Sequence, residues 1–137
     1  MPAKTPRIAA GRLIAALHDH DLEAAVALYE EDATLVCYPG MLVKGIPAIR
    51  TFLEGLFSLK ADVRYDTRVF TEAGGLALFT AKWTLLNEVI TPLPMPKVSH
   101  LVHVTLLRKQ PDGAWLIALD NPWGPELPPT SETQALS

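Results

Sequence analysis

The chain has 137 residues, 49% of them hydrophobic and 20% charged, with a formal net charge of −3. That is the size and composition of one globular domain with a sizeable core, and without a basic stripe nucleic acid is not expected as a partner. No apolar run approaches the roughly 18 residues that span a bilayer, no signal peptide is legible in MPAKTPR, and the single cysteine, Cys37, excludes an internal disulfide and suits a reducing cytoplasm.

In chain order, the spacing of Ile8, Arg12, Leu13, Ala16 and Leu17 predicts a first helix over residues 8–17. It runs into His18-Asp19-His20-Asp21. Four adjacent residues point in different directions and converge poorly on one ion, so no metal site is expected there. Asp21 reads instead as the N-cap of a second helix over 22–29. Residues 34–38 are β-branched and aromatic enough for a short strand, Pro39-Gly40 is a turn, and 41–45 is a return strand. Pro47 suits the first turn of a third helix, 46–59, because its missing N–H would be unpaired there in any case. Ile49, Phe52, Leu53, Leu56 and Phe57 form the buried stripe of that helix.

The period then changes from helical to two. In residues 63–70, Val63, Tyr65, Thr67 and Val69 alternate with Arg64, Asp66, Arg68 and Phe70. A long strand over 76–87 sets Ala77, Phe79, Ala81, Trp83 and Leu85 on one face and Leu76, Leu78, Thr80, Lys82, Thr84 and Leu86 on the other. A loop with Pro92, Pro94 and Pro96 follows, since these prolines do not fit a central strand. Residues 98–107 and 115–120 make a hairpin about the turn-like KQPDG. Its first strand places Leu101, His103, Thr105 and Leu107 on one face and His100, Val102, Val104 and Leu106 on the other. Trp123, in DNPWG, is positioned to close the base of the sheet, and residues 126–137 read as a flexible tail. The fold class is therefore α+β: three N-terminal helices on a curved four-stranded antiparallel sheet, with a short strand pair in addition. Helices cover only one sheet face, so the apolar residues on the other call for a second copy, a homodimer across the sheet.

Two side chains of the hairpin carry the chemistry. An imidazole at 103 inside an apolar strand and a carboxylate at 120 on its neighbour can exchange a proton in a dry pocket. A core histidine with a hydrogen-bonded ring, beside an aspartate that starts a turn, is the alternative. Cys37 reads as a buried structural thiol with no nearby cation to activate it. Trp83 reads as cavity wall. Neither G-x-x-x-x-G-K nor G-x-G-x-x-G occurs, so nucleotide binding has no support and no cofactor is expected.

HDHDLEAAVALYEEDATL, PGMLVKGIPAIRTFLEGLF and a meander ending in GAWLIALDNPW resemble the nuclear-transport-factor-2-like superfamily, in its SnoaL-like and ketosteroid-isomerase-like branches and the DUF4440 type. The resemblance covers roughly residues 8–125, taken as one domain within 1–125. It implies a cystatin-like cone enclosing an apolar cavity, and a homodimer. It also implies a cavity wall for a small apolar ligand, formed by Leu13, Leu17, Tyr29, Cys37, Leu53, Phe57, Phe79, Trp83, Leu101 and Thr105. Aligned with ketosteroid isomerase, Cys37 stands where the general-base aspartate would be, Leu13 at the oxyanion-hole tyrosine, His103 at the protonated aspartate and Tyr29 at a supporting tyrosine. The usual steroid isomerisation is therefore not expected. The strand histidine and neighbouring aspartate of SnoaL-type polyketide cyclases are a nearer match for His103 and Asp120. The resulting expectation is a cofactor-independent isomerase, cyclase or dehydratase for a small apolar carbonyl compound; the alternative is a non-catalytic binding or dimerisation domain. His103→Ala is expected to lower turnover and leave the fold intact.

Overall fold

The computed structural model describes residues 2–86 and 100–126, His100 by its backbone alone. Three helices, α1 (Pro6–Asp19), α2 (Leu22–Val26) and α3 (Ile46–Ser58), accompany six strands. These are β1 (Tyr29–Tyr38), β2 (Met41–Lys44), β3 (Val63–Ala73), β4 (Leu76–Leu85), β5 (His100–Lys109) and β6 (Trp115–Asn121). The proline loop, the face taken by the His100 side chain and the tail beyond Glu126 lie outside the described residues.

The strands form one sheet in the order β2-β1-β6-β5-β4-β3. This corrects the expected four strands plus a separate pair. The pair joins the main sheet because β1 runs parallel to β6, with Tyr29 opposite Ile117 and Leu35 opposite Asp120. All other pairings are antiparallel. The same contact shortens the second helix. LEAAVALY has helical propensity throughout, but α2 ends at Val26, and the Leu28 carbonyl accepts from Ile117 N–H at 2.8 Å. Tertiary strand pairing outweighs a few tenths of a kcal/mol per residue of helix preference, and Tyr29 opens a strand instead of closing a helix.

Helix ends follow the sequence signals. Thr5 Oγ1 accepts from Ile8 N–H and Pro6 fills the first turn of α1. Asp21 Oδ1 accepts from Ala24 N–H at 3.2 Å, as its N-cap role predicts. α1 packs over β3, β4 and β6, and α3 over β1 and β2. Beneath them, Ala77, Phe79, Ala81 and Trp83 of β4 are buried on the predicted face, while Leu76 and Leu78 are each 40% exposed on the other.

Two bulges override strict alternation. In β3 the register shifts between Asp66 and Arg68, with Thr67 at φ 51°. Beyond it Phe70 faces Phe79, ring centroids 4.9 Å apart, and Val69 is exposed, the reverse of simple period-two counting. In β6, Ile117 pairs with Leu107 but Leu119 pairs with Leu106, leaving Ala118 as the extra residue. Uninterrupted alternation from Trp115 and Ile117 would bury Leu119 and expose Asp120. With the bulge, Leu119 is 39% exposed and Asp120 3%.

Candidate functional site

The Ala118 bulge turns Asp120 toward the helices and sets it directly opposite Thr105 on β5. Thr105 Oγ1 donates to Asp120 Oδ1 at 2.8 Å. His103, two residues away on the same face of β5, places Nε2 2.5 Å from the same oxygen. Tyr29, brought in by the β1–β6 pairing, donates its hydroxyl to Asp120 Oδ2 at 2.6 Å. His103 is 2% exposed, so this is a buried network with three donors on one carboxylate.

Burial alone would raise the Asp120 carboxyl. Attraction to His103, with hydrogen bonds from His103, Tyr29 and Thr105, outweighs it and holds the group below its ordinary range. An ionised carboxylate only accepts, so His103 Nε2 is the donor and carries a proton. The exchangeable position of the ring is then Nδ1, which meets the Tyr65 hydroxyl at 2.9 Å. Tyr65 reaches His103 from β3 across β4, where Ala81, opposite His103, offers only a methyl group. Burial first, and the Asp120 charge second, push the Tyr65 phenol well above its ordinary value. It therefore rests as a neutral phenol that donates to Nδ1. Burial and the same carboxylate raise Tyr29 in the same way.

A cavity of about 110 Å³ opens beside this network. His103, Asp120 and Tyr65 reach it, within a wall of side chains such as Phe52, Leu56, Trp83 and Trp123. Of the residues expected to line it, Leu17, Cys37, Leu53, Phe57 and Trp83 do. Leu13 and Phe79 belong instead to the close-packed core, at 1% and 0% exposure. Leu101 packs with Trp83 and Trp123 behind the wall. Tyr29 and Thr105 contact Asp120 from its far side. The Cys37 thiol is pushed up by burial and lies 3.3 Å from the Met41 carbonyl, a resting thiol in the wall.

Sequence reasoning missed Tyr65 and left Trp123 outside the cavity. A signal for Tyr65 existed: it shares the inner face of β3 with Val63, and pairing β3 with β4 puts it opposite Trp83. The HDHD run does not converge. His18 pairs with Asp19 at 3.0 Å in solvent, His20 Nε2 meets the Ala61 carbonyl, and no group of three metal-ligating side chains occurs among the described residues. Nor does any described helix have the length and apolarity to cross a membrane.

Solved structures share this architecture. A candidate ketosteroid isomerase from Shewanella frigidimarina is 14% identical, with a TM-score of 0.68 over 82% of this chain and 89% of its own. A protein of unknown function with a cystatin-like fold from Nostoc punctiforme is 17% identical, with a TM-score of 0.66 over 93% and 98%. A candidate dehydratase of the NTF2-like family from Streptomyces avermitilis is 14% identical, with a TM-score of 0.63 over 84% and 89%. At such identities the likeness is one of fold. No curated protein matches the sequence. The profile of the SnoaL-like domain matches residues 10–116, and by that match the chain belongs to the SnoaL-like family of the NTF2-like superfamily.

Proposed function

We propose that this protein is a cofactor-independent acid/base enzyme acting on a small apolar compound that bears a carbonyl group. One observation carries the reading: at the wall of an apolar cavity, His103 is held by Asp120 at one ring nitrogen and by Tyr65 at the other. Apolar side chains at this position would serve stability as well, since a buried charge held by its partners stabilises no better than well-packed hydrophobic groups. Asp120 fixes the tautomer and orients the ring. His103 Nδ1 accepts a proton through the Tyr65 hydroxyl and returns it by the same route. The high phenol pKa favours relay over a standing phenolate. The reaction class is proton transfer next to a carbonyl, the step shared by isomerisation, aldol-type cyclisation and dehydration.

Hydrogen–deuterium exchange at the α-carbon of cyclopentanone in D2O tests this directly. The protein should accelerate exchange over buffer, and His103→Gln should lower the rate by roughly 10²- to 10⁴-fold, the range for a positioned acid/base. Tyr65→Phe should also lower it. Exchange no faster than buffer, or equal rates for wild type and His103→Gln, would favour the alternative of a non-catalytic ligand-binding or dimerisation domain. Glutamine is preferred to alanine here. Removing an imidazole at 2% exposure would take one of three donors from the buried Asp120 charge and leave a void beside it, so the expectation that His103→Ala spares the fold does not stand.

The reading includes a homodimer built across the outer sheet face. Leu76, Leu78 and Leu119 are 39–40% exposed there, beside half-buried Val102, Val104 and Leu106. Sedimentation at micromolar concentration should show twice the chain mass; a 15.0 kDa species would contradict the assembly.

A further inference from the structure

Two helices end beside the cavity, and each is followed by a residue in the left-handed region. His20 caps α1 at φ +53°, its backbone N–H donating to the Ala16 carbonyl, and Lys60 comes just after α3 at φ +55°. Glycine is the usual residue at such helix ends, because a Cβ is crowded there. Backbone strain of this kind collects at clamps and ligand sites. At His20 it goes with a side chain that spans two elements.

The His20 ring joins the end of α1 to the segment after α3. Nε2 lies 3.2 Å from the Ala61 carbonyl, which only accepts, so this nitrogen carries a proton and donates it. The ring centroid lies 5.5 Å from that of Phe57 on α3, with the planes tilted by 56°. His20, Phe57 and Ala61 all line the cavity. His20 is exposed, whereas His103 and Asp120 at the inner end of the same cavity are 2% and 3% exposed. The imidazole therefore stands on the rim, where the cavity meets solvent. Its backbone cap, the Ala61 hydrogen bond and the Phe57 ring hold it there. A cap alone needs no ring, and glycine or asparagine would serve that role with less strain.

We infer that His20 is a specificity-determining residue of the cavity: its ring, tied to Ala61 and set against Phe57, narrows the mouth and limits the bulk of the ligand. This rests on the reading of the cavity as the site of a small carbonyl compound, and it adds an upper limit of size to that class. The enclosed space is about 110 Å³, less than the roughly 150 Å³ of an apolar cavity that holds benzene. A five-membered ring suits such a space. A larger or caged ring would need the place that the imidazole occupies. Selectivity of this kind comes from a clash built against the wrong ligand, in addition to contacts made with the right one.

The test compares cyclopentanone with 2-adamantanone, which carries the same carbonyl on a rigid cage. Each is titrated by calorimetry into the wild type, His20→Gly and His20→Asn. Glycine and asparagine both tolerate the left-handed region, so α1 still ends where it does, and circular dichroism checks that the fold is kept. The wild type should bind cyclopentanone about tenfold or more in preference to the cage, within the range by which a pocket discriminates size. Both variants should bind 2-adamantanone about tenfold more tightly than the wild type does, with the affinity for cyclopentanone changed by less than about threefold. Four results would overturn the inference: 2-adamantanone bound as tightly by the wild type as by the variants, its continued exclusion from both variants, an equal change for the two ketones, or binding of neither ketone to any of the three proteins. A His20 that served only as a helix cap would leave the preference unmoved. The readout is relative affinity, whereas the exchange rate and His103→Gln report the acid/base reading, so the two can fail separately.

Discussion

The inner face of the β4–β5–β6 sheet is built in two ways along its length. At one end, Ala77, Leu107 and Ile117 sit side by side under α1, none more than 1% exposed, in an apolar core without a polar atom to satisfy. At the other, the same strands present Trp83, His103 and Asp120 around open space. Both ends obey the same rule of side-chain direction, and they differ in what the residues do once they face inward. The aliphatic end gains by excluding water and filling volume. The cavity end keeps volume unfilled and holds a charge that is tolerable only because three donors meet it. Stability is concentrated at the first end, and the second depends on one carboxylate.

The sharpest way to break the contrast is Asp120→Ala. It leaves Tyr29, Thr105 and His103 without their shared acceptor in a buried site, and should cost at least about 3 kcal/mol in urea unfolding, the scale for three buried donors left unpaired at about 1–3 kcal/mol each. Asp120→Asn keeps an acceptor oxygen and should cost less. Equal losses for the two would mean that the charge both variants remove, and neither the acceptor oxygen that asparagine keeps nor the side-chain volume, governs this end.

A second comparison uses one residue type at both ends. Phe79 is fully buried between β3 and the helices, and truncation to alanine leaves a new void, with an expected loss of about 3–5 kcal/mol. Phe57 is half-buried and borders space that already exists, so Phe57→Ala should cost roughly half as much or less. It should also widen the cavity toward His20, whose ring lies 5.5 Å from that of Phe57. Comparable losses would remove the distinction between filled core and lined cavity.

The two ends also differ in how much of them can be read from sequence. The aliphatic end is written in periodicity: the alternation of β4 and β5 and the stripe of α3 place Phe79, Leu107, Ile49 and Leu53 inside. His103 and Thr105 are legible by the same count. Asp120 is not, because its direction depends on one extra residue at Ala118, and a bulge leaves no mark in a hydrophobicity pattern. The Thr67 bulge hides the inward turn of Phe70 from a period-two reading in the same way. Tyr29 is obscured for a different reason. Its segment is helical by local preference and becomes a strand only through parallel pairing with β6, nearly ninety residues later. Local preference carries no information about a partner so distant in the chain. The site is thus built at the places where tertiary contacts override local rules, and there periodicity reveals composition without geometry.

The smallest predicted effect isolates a single donor of the network. Tyr29→Phe removes one hydrogen bond to Asp120 and keeps the ring, so the loss at neutral pH should be about 1–1.5 kcal/mol. Its pH dependence follows from the direction of the Asp120 shift. The folded carboxyl lies below its unfolded value of 3.8, so its contribution is complete above that value and is lost as pH falls through the folded pKa. The Tyr29 hydroxyl is one of the groups that lower the folded value; without it the folded and unfolded values move closer and the contribution shrinks. Below both values the carboxyl is protonated in either state, and this part of the difference vanishes. Urea midpoints of wild type and Tyr29→Phe should therefore be furthest apart at neutral pH and converge as pH falls below about 4. A gap that stayed constant or widened in acid would show that Tyr29 stabilises the fold by packing alone, and that the Asp120 charge does not depend on it.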